Sequence, residues 1–127
     1  MINDYSALGK MLKFSDQKRC TLLGVGPMSR NCVDVAVDLS NRFEIPIMLI
    51  ASRRQIDSKI FGGGYVNKWT TEQFARYVQE IDQKSMVVLA RDHGGPWQHP
   101  SELERKMDLS DAMASCKKSY EADIDAG

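Results

Sequence analysis

The chain has 127 residues, 43% of them hydrophobic and 27% charged, with Lys and Arg balanced by Asp and Glu to a formal net charge of zero. That composition is globular, the length suits one domain, and a neutral chain has no field to gather nucleic acid or anionic lipid. No apolar stretch approaches the ~20 residues of a membrane span, and Met1-Ile2-Asn3-Asp4-Tyr5 lacks the basic-then-apolar layout of a secretion signal, so a cytoplasmic protein is expected. Cys20, Cys32 and Cys116 are odd in number, far apart and in no Cys-x-x-Cys spacing; they read as buried thiols rather than a disulfide framework or a zinc site.

In chain order, an amphipathic segment over residues 2–13 leads into a short apolar run at 21–25 (Thr-Leu-Leu-Gly-Val). Cys32, Val35, Leu39 and Phe43 then recur at spacings of three and four, which predicts a helix over about 29–43 with that stripe against the core. A second apolar run occupies 46–51, and a glycine-rich connection follows over 52–69. Phe74, Tyr77, Val78 and Ile81 mark the next helix, whose start carries a capping box: Thr70 and Gln73 can each accept from the other's free amide. The third run, 86–90, opens into a polar connection over 91–107. The last helix follows, with Asp108 or Ser110 as cap, Met113, Cys116, Tyr120 and Ile124 as its stripe, and Gly127 as C-cap.

The three runs are continuous rather than alternating, the pattern of strands covered on both faces, and they alternate with helices. An α/β fold with a parallel sheet and right-handed crossovers follows, open or barrel-type. Both long connections leave the carboxyl ends of strands, where such folds keep their chemistry. Three β/α units leave a sheet edge uncovered, so we expect an incomplete domain over 1–127, the amino-terminal part of a larger barrel, or self-association through that edge.

Asp92 and His93, at the end of the third run, are the foremost chemical candidates: a carboxylate can move a proton and a neutral imidazole can ligate a divalent metal. The other reading is an ordinary turn in which Asp92 bonds local amides. One His is an incomplete zinc site; His99 is the only other, so Asp or Cys ligands would be needed. Phe61-Gly62-Gly63-Gly64-Tyr65 offers free amides for an anion, as a flexible lid or a plain flexible loop, and Arg53-Arg54 could grip a phosphate bidentately. Gly24-Val25-Gly26-Pro27-Met28-Ser29 approaches a dinucleotide fingerprint, which keeps an NADP site as an alternative. Against it, Ser29 replaces the third glycine and Pro27 removes an amide donor.

The succession Ile50-Ala51-Ser52-Arg53-Arg54-Gln55-Ile56-Asp57, Phe61 with Gly63-Gly64-Tyr65, Phe74, and Asp92-His93-Gly94-Gly95-Pro96 with Trp97 resembles the non-catalytic, Z-type subunits of tagatose-bisphosphate aldolase, over roughly residues 20–127. The resemblance implies the first three strands and helices of a (β/α)8, TIM-type barrel related to class II aldolases, and a place in carbohydrate metabolism. It implies Asp92 as a proton-transfer carboxylate and His93 as one ligand of zinc, whose remaining ligands come from later strands. It also implies sugar-phosphate contacts from the segment carrying Ser52, Arg53, Gln55, Gly63 and Gly64, and either a fragment of a carbon–carbon lyase, inactive alone, or a stabilising subunit for a catalytic aldolase partner. Two departures stand out: Ala51 replaces a usual glutamate, and the spacing over 62–67 differs.

Overall fold

The computed structural model describes residues 5–127. Its elements follow in the order α1 (Ala7–Lys18), β1 (Leu23–Val25), α2 (Arg30–Phe43), β2 (Ile47–Ser52), a 3-10 turn (Lys59–Phe61), α3 (Thr71–Ile81), β3 (Val87–Asp92), α4 (Pro100–Glu104) and α5 (Leu109–Ala126). The strands form one parallel sheet of order β1-β2-β3, with Leu23, Gly24 and Val25 opposite Ile47, Met48 and Leu49, so the α/β reading stands. The expectation for residues 2–4 lies outside the described residues. No described helix is long and apolar enough to cross a membrane.

The described residues divide into two packed units, one running up to Ile50 and taking in Tyr77–Ala90, the other made of Ala51–Arg76 and Arg91–Gly127. In the first, Ser6 caps the start of α1, accepting from the Gly9 amide at 3.1 Å. Only Gly9 and Met11 of this helix are buried. Ser29 caps α2 in the same way, with the Cys32 amide at 3.2 Å.

The buried face of α2 is Val33, Val37 and Ser40, not the stripe of Cys32, Val35, Leu39 and Phe43. Val35 and Phe43 are 58% and 62% exposed. The helix carries two apolar stripes, and at 100° per residue Val33 and Val35 point to nearly opposite sides. Ser40 is tolerated in the buried stripe because its hydroxyl donates to the Ile45 carbonyl at 2.7 Å. Coverage of the strands is also less complete than their apolar runs imply. Along β2, Ile47, Leu49 and Ala51 are buried while Met48, Ile50 and Ser52 are half-buried, and Leu23 of β1 is 59% exposed.

A carboxylate joins the helices of this unit to its sheet. Asp82, just past α3, accepts from the backbone amides of Met86 and Val87 at 3.0 and 2.8 Å and from the Asn41 amide side chain at 2.9 Å. Asn41 in turn accepts from the Lys84 amide at 2.7 Å. The start of β3 is thereby tied to α2.

In the second unit the capping box forms as expected: the Gln73 side chain accepts from the Thr70 amide at 3.0 Å and Thr70 Oγ1 from the Gln73 amide at 3.3 Å. The connection after β2 is not a loose loop. Tyr65 and Val66 amides donate back to Arg54 and Gln55, Gly64 to Trp69, and Asp57 bridges to Thr70 as a single parallel pair. Ile56, Val66, Trp69, Phe74 and Ala75 form its core, with Trp69 and Phe74 rings 5.6 Å apart. On α5 the expectation again fails at the level of faces. Ala112, Ser115, Cys116 and Ser119 are buried, while Met113, Tyr120 and Ile124 are half or more exposed or nearly so, Ile124 at 78%. Of the three cysteines expected to be buried, only Cys116 is; Cys20 is exposed and Cys32 intermediate.

Asp82→Ala removes the acceptor of three hydrogen bonds, so it should lower the unfolding free energy by about 2–3 kcal/mol in urea denaturation, with Asp82→Asn retaining part of the loss.

Candidate functional site

Strand β3 ends on Asp92 and His93, and their side chains are 62% and 64% exposed. Asp92 Oδ1 accepts from the His93 amide at 2.8 Å, and its Oδ2 lies 3.4 Å from His93 Nε2. The carboxylate thus caps its own turn and orients the imidazole at once. His93 takes a left-handed backbone, φ 45°, which makes room for the chain to double back. At Gly94 that return runs hard against α5: a Cβ there would sit 2.4 Å from Tyr120 Oη and 2.9 Å from Arg91 Cγ. A side chain there would have to displace Tyr120 and Arg91, so glycine lets the turn pack against them while Asp92 and His93 face outward.

His99 does not join them. It caps α4, with Nδ1 accepting from the Ser101 amide at 3.3 Å, and its ring lies 5.1 Å from that of Phe61. Among the described residues no group of three or more His, Cys, Asp or Glu side chains could hold a metal. Asp92 and His93 offer two donors, fewer than a closed or catalytic zinc site takes from protein, so the chain by itself does not fit the metal.

Residues expected to contact a sugar phosphate instead build the loop that follows β2. Ser52 and Gln55 close its first turn, the Ser52 amide donating to Gln55 Oε1 at 2.8 Å and the Gln55 amide to Ser52 Oγ at 3.3 Å. Gly63 and Gly64 allow two backbone segments to touch. A Cβ on Gly64 would lie 2.0 Å from the Gln55 carbonyl oxygen, and one on Gly63, φ 77°, 2.8 Å from that of Trp69. Arg53 is 0% exposed, which bars it from the direct phosphate contact expected of it. Its Nε donates to Asp57 Oδ2 at 3.0 Å, Nη1 to Glu102 Oε1 at 2.6 Å and to the Gly95 carbonyl at 3.4 Å, and Nη2 to Ser115 Oγ at 3.3 Å. Arg54 is the exposed member of the pair, its Nε donating to the Gln98 carbonyl at 3.3 Å.

The groups around Arg53 escaped sequence reasoning. Ser115 donates to Glu102 Oε1 and Ser119 to Asp57 Oδ1, so the buried serines of α5 add a bond to each carboxylate, while Glu102 Oε2 is buried with no hydrogen-bond partner among the described residues. The Arg53 guanidinium also stacks over the Phe61 ring at 5.0 Å. A second clamp lies alongside: Arg91 Nε donates to Asp123 Oδ2 at 2.8 Å, and its Nη1 to the Ile56 carbonyl. The available signals were Arg53 and Asp57 at i,i+4, and Ser115 and Ser119 at i,i+4 beneath the more conspicuous apolar stripe. Burial pushes the Glu102 carboxyl up, but hydrogen bonds from Ser115 and Arg53, the Arg53 charge and the Trp97 amide outweigh it and leave the group below its ordinary value.

The glycine segment of the dinucleotide alternative has local explanations. Gly24 lies inside β1, where a Cβ would meet Ile50 Cδ1 at 2.6 Å. Ser29 caps α2 with its own hydroxyl, occupying the amide an anion would need, and of Arg53 and Arg54, the pair that could grip a 2′-phosphate, Arg53 is buried and Arg54 exposed.

No protein-family model matches the chain, and no curated protein matches it. Among solved structures, a probable tagatose 6 phosphate kinase from Sinorhizobium meliloti 1021 is similar, with a TM-score of 0.67 and 21% sequence identity over 85% of this chain and 27% of the other. The likeness is one of fold, and the chain spans about a quarter of that structure's length.

Arg53→Ala leaves two buried carboxylates uncompensated and should cost about 3–5 kcal/mol of stability by urea unfolding, far more than Arg54→Ala. Because the Glu102 pKa is depressed on folding, its stabilisation is complete above the unfolded value of about 4.5 and is lost as pH falls through the folded one. Unfolding measured across pH 3–6 should show that loss, and Glu102→Gln should diminish it.

Proposed function

We propose that this chain forms the first three β/α units of a sugar-phosphate-binding barrel of the kind found in Z-type tagatose-bisphosphate aldolase subunits, and that the Asp92-His93 turn is its contribution to the ligand site. The observation that carries the reading is the exposure of both side chains at the carboxyl end of β3, on a turn packed closely at Gly94, with no side-chain partner but each other among the described residues. Side chains in that position face the ligand crevice of parallel α/β sheets.

Support for the incomplete barrel comes from surfaces left partly open. Met48, Ile50 and Ser52 leave one face of β2 half-buried, β1 is largely exposed, and α2 shows solvent the stripe of Val35, Leu39 and Phe43. Further β/α units would pair with the sheet edge and cover the helix. The similar solved structure, several times longer than the matched part, is named a probable tagatose 6 phosphate kinase, which agrees with a phosphorylated ketohexose as ligand.

In this reading Asp92 orients or deprotonates a sugar hydroxyl and holds the His93 ring by its Oδ2, while the exposed imidazole of His93 hydrogen-bonds the ligand. Ser52, Gln55, Gly63 and Gly64 shape the neighbouring wall, and Arg53 acts through them by position rather than by contact. Aldol cleavage is not expected of the chain alone, which fits either a lyase portion or a stabilising subunit for a catalytic aldolase partner.

Residue-resolved NMR with tagatose 6-phosphate tests the proposal. Saturable shifts should centre on 92–95, weaken about tenfold or more in Asp92→Asn and His93→Ala, and be absent with unphosphorylated tagatose. Absence of saturable shifts at 92–95, or their survival in both variants, overturns it.

A further inference from the structure

A cleft of about 490 Å³ lies in the second unit, bounded by the 3-10 turn, α4 with the residues after it, and one face of α5. Its α5 wall is Asp111, Ala114, Ser115 and Lys118, at i, i+3, i+4 and i+7, and the small Ala114 and Ser115 create the room. Phe61 supplies an apolar side. The volume is that of a small-molecule site.

The charges facing this space are unsatisfied. Arg105 and Lys118 both line it, and neither makes an ion pair among the described residues. The nearby Glu102 pairs with Arg53 and makes no ion pair with either of them; its Oε1 is shared between Arg53 and Ser115, and its Oε2 is buried without a partner among the described residues. His99 adds a directed donor. Its Nδ1 lies 3.3 Å from the Ser101 amide and 2.8 Å from Ser101 Oγ; in the tautomer that accepts from that amide the ring proton is on Nε2, and the Phe61 ring packs against it tilted by 37°. Two cations and an imidazole N–H suit a compact dianion better than a single carboxylate. Asp111 opposes a second acidic group and accepts from hydroxyls, which favours a polyol body over a dicarboxylate.

We propose that this cleft binds a small phosphate monoester, its phosphoryl group held by Arg105, Lys118 and His99 Nε2–H and its hydroxyls facing Asp111. The site is separate from the Asp92-His93 turn and does not depend on the role given to that pair. His99 is held below its ordinary pKa, first by burial and then by the Arg53 charge, against the raising influence of Asp57, Glu102 and Glu104. A bound phosphoryl group favours the protonated ring, so binding should raise that pKa.

NMR of the His99 ring during titration with inorganic phosphate and glycerol 3-phosphate tests the assignment on the full chain. Both should give saturable shifts with a rise in the His99 pKa, and glycerol alone none. Arg105→Gln/Lys118→Gln, at two exposed positions, should weaken phosphate binding about tenfold or more without changing the circular dichroism. Lys13→Gln/Lys18→Gln on α1, equal in charge removed, should not weaken it. Absence of saturation, unchanged affinity in the first double variant, or an equal loss in the second overturns the proposal.

Discussion

A guanidinium without access to water governs the arrangement of the second packed unit. Taking Arg53 and its two carboxylates out of solvent costs several kcal/mol per ion, and mutual attraction offsets this only where hydrogen bonding is near complete. Asp57 lies one helical spacing along the same loop, Glu102 belongs to α4, and Ser115 and Ser119 belong to α5. The requirement therefore fixes three elements together. Small residues on the buried face of α5 are a consequence, since Leu or Phe there would displace the serines and strand the charges.

That network explains why loops that the sequence presents as mobile are ordered. The chain after β2 is held at Arg53 and Asp57, then folds back so closely that Gly63 and Gly64 admit no side chain. Arg91 binds the Ile56 carbonyl and Asp123, which secures the base of the turn after β3. The outward Asp92 and His93 are thereby presented on a rigid base, the condition for a group that must meet a ligand in one geometry. Ser115 has a double position: it completes Glu102 on one side and lines the phosphate cleft on the other. The cleft is shaped in advance by the same bonds that satisfy the buried ions.

What the sequence discloses and what it conceals divide along physical lines. Strands, helices and caps depend on local order, and Thr70, Gln73 and Asp108 act where their spacing indicates. Which face of a helix meets the core depends on its partners. On α2 two apolar stripes compete, and hydropathy cannot rank Val33 and Val37 against Val35 and Leu39. On α5 the apolar stripe is mostly the exposed one, because the buried neighbours are ions and call for serines. Arg53 illustrates the same limit. Beside a strand end an arginine resembles a phosphate ligand, and only the distant Glu102 and Ser115 reveal that it is internal. The Asp92-His93 turn was legible because its exposure follows from strand-end position and glycine alone.

An apolar side chain of similar volume in place of a buried ion pair is often neutral or stabilising, so strength alone does not account for Arg53. Direction does. The guanidinium has five N–H donors in a fixed plane, and it reaches backward to Asp57, sideways to Glu102 and Ser115, and forward to the Gly95 carbonyl at 3.4 Å. Gly95 stands two residues past His93, so the last of these bonds ties the exposed turn to the buried network. An apolar core would fill the space and leave that carbonyl without a donor. The arginine is thus internal yet linked to the exposed turn, since its Nη1 reaches the backbone two residues past His93.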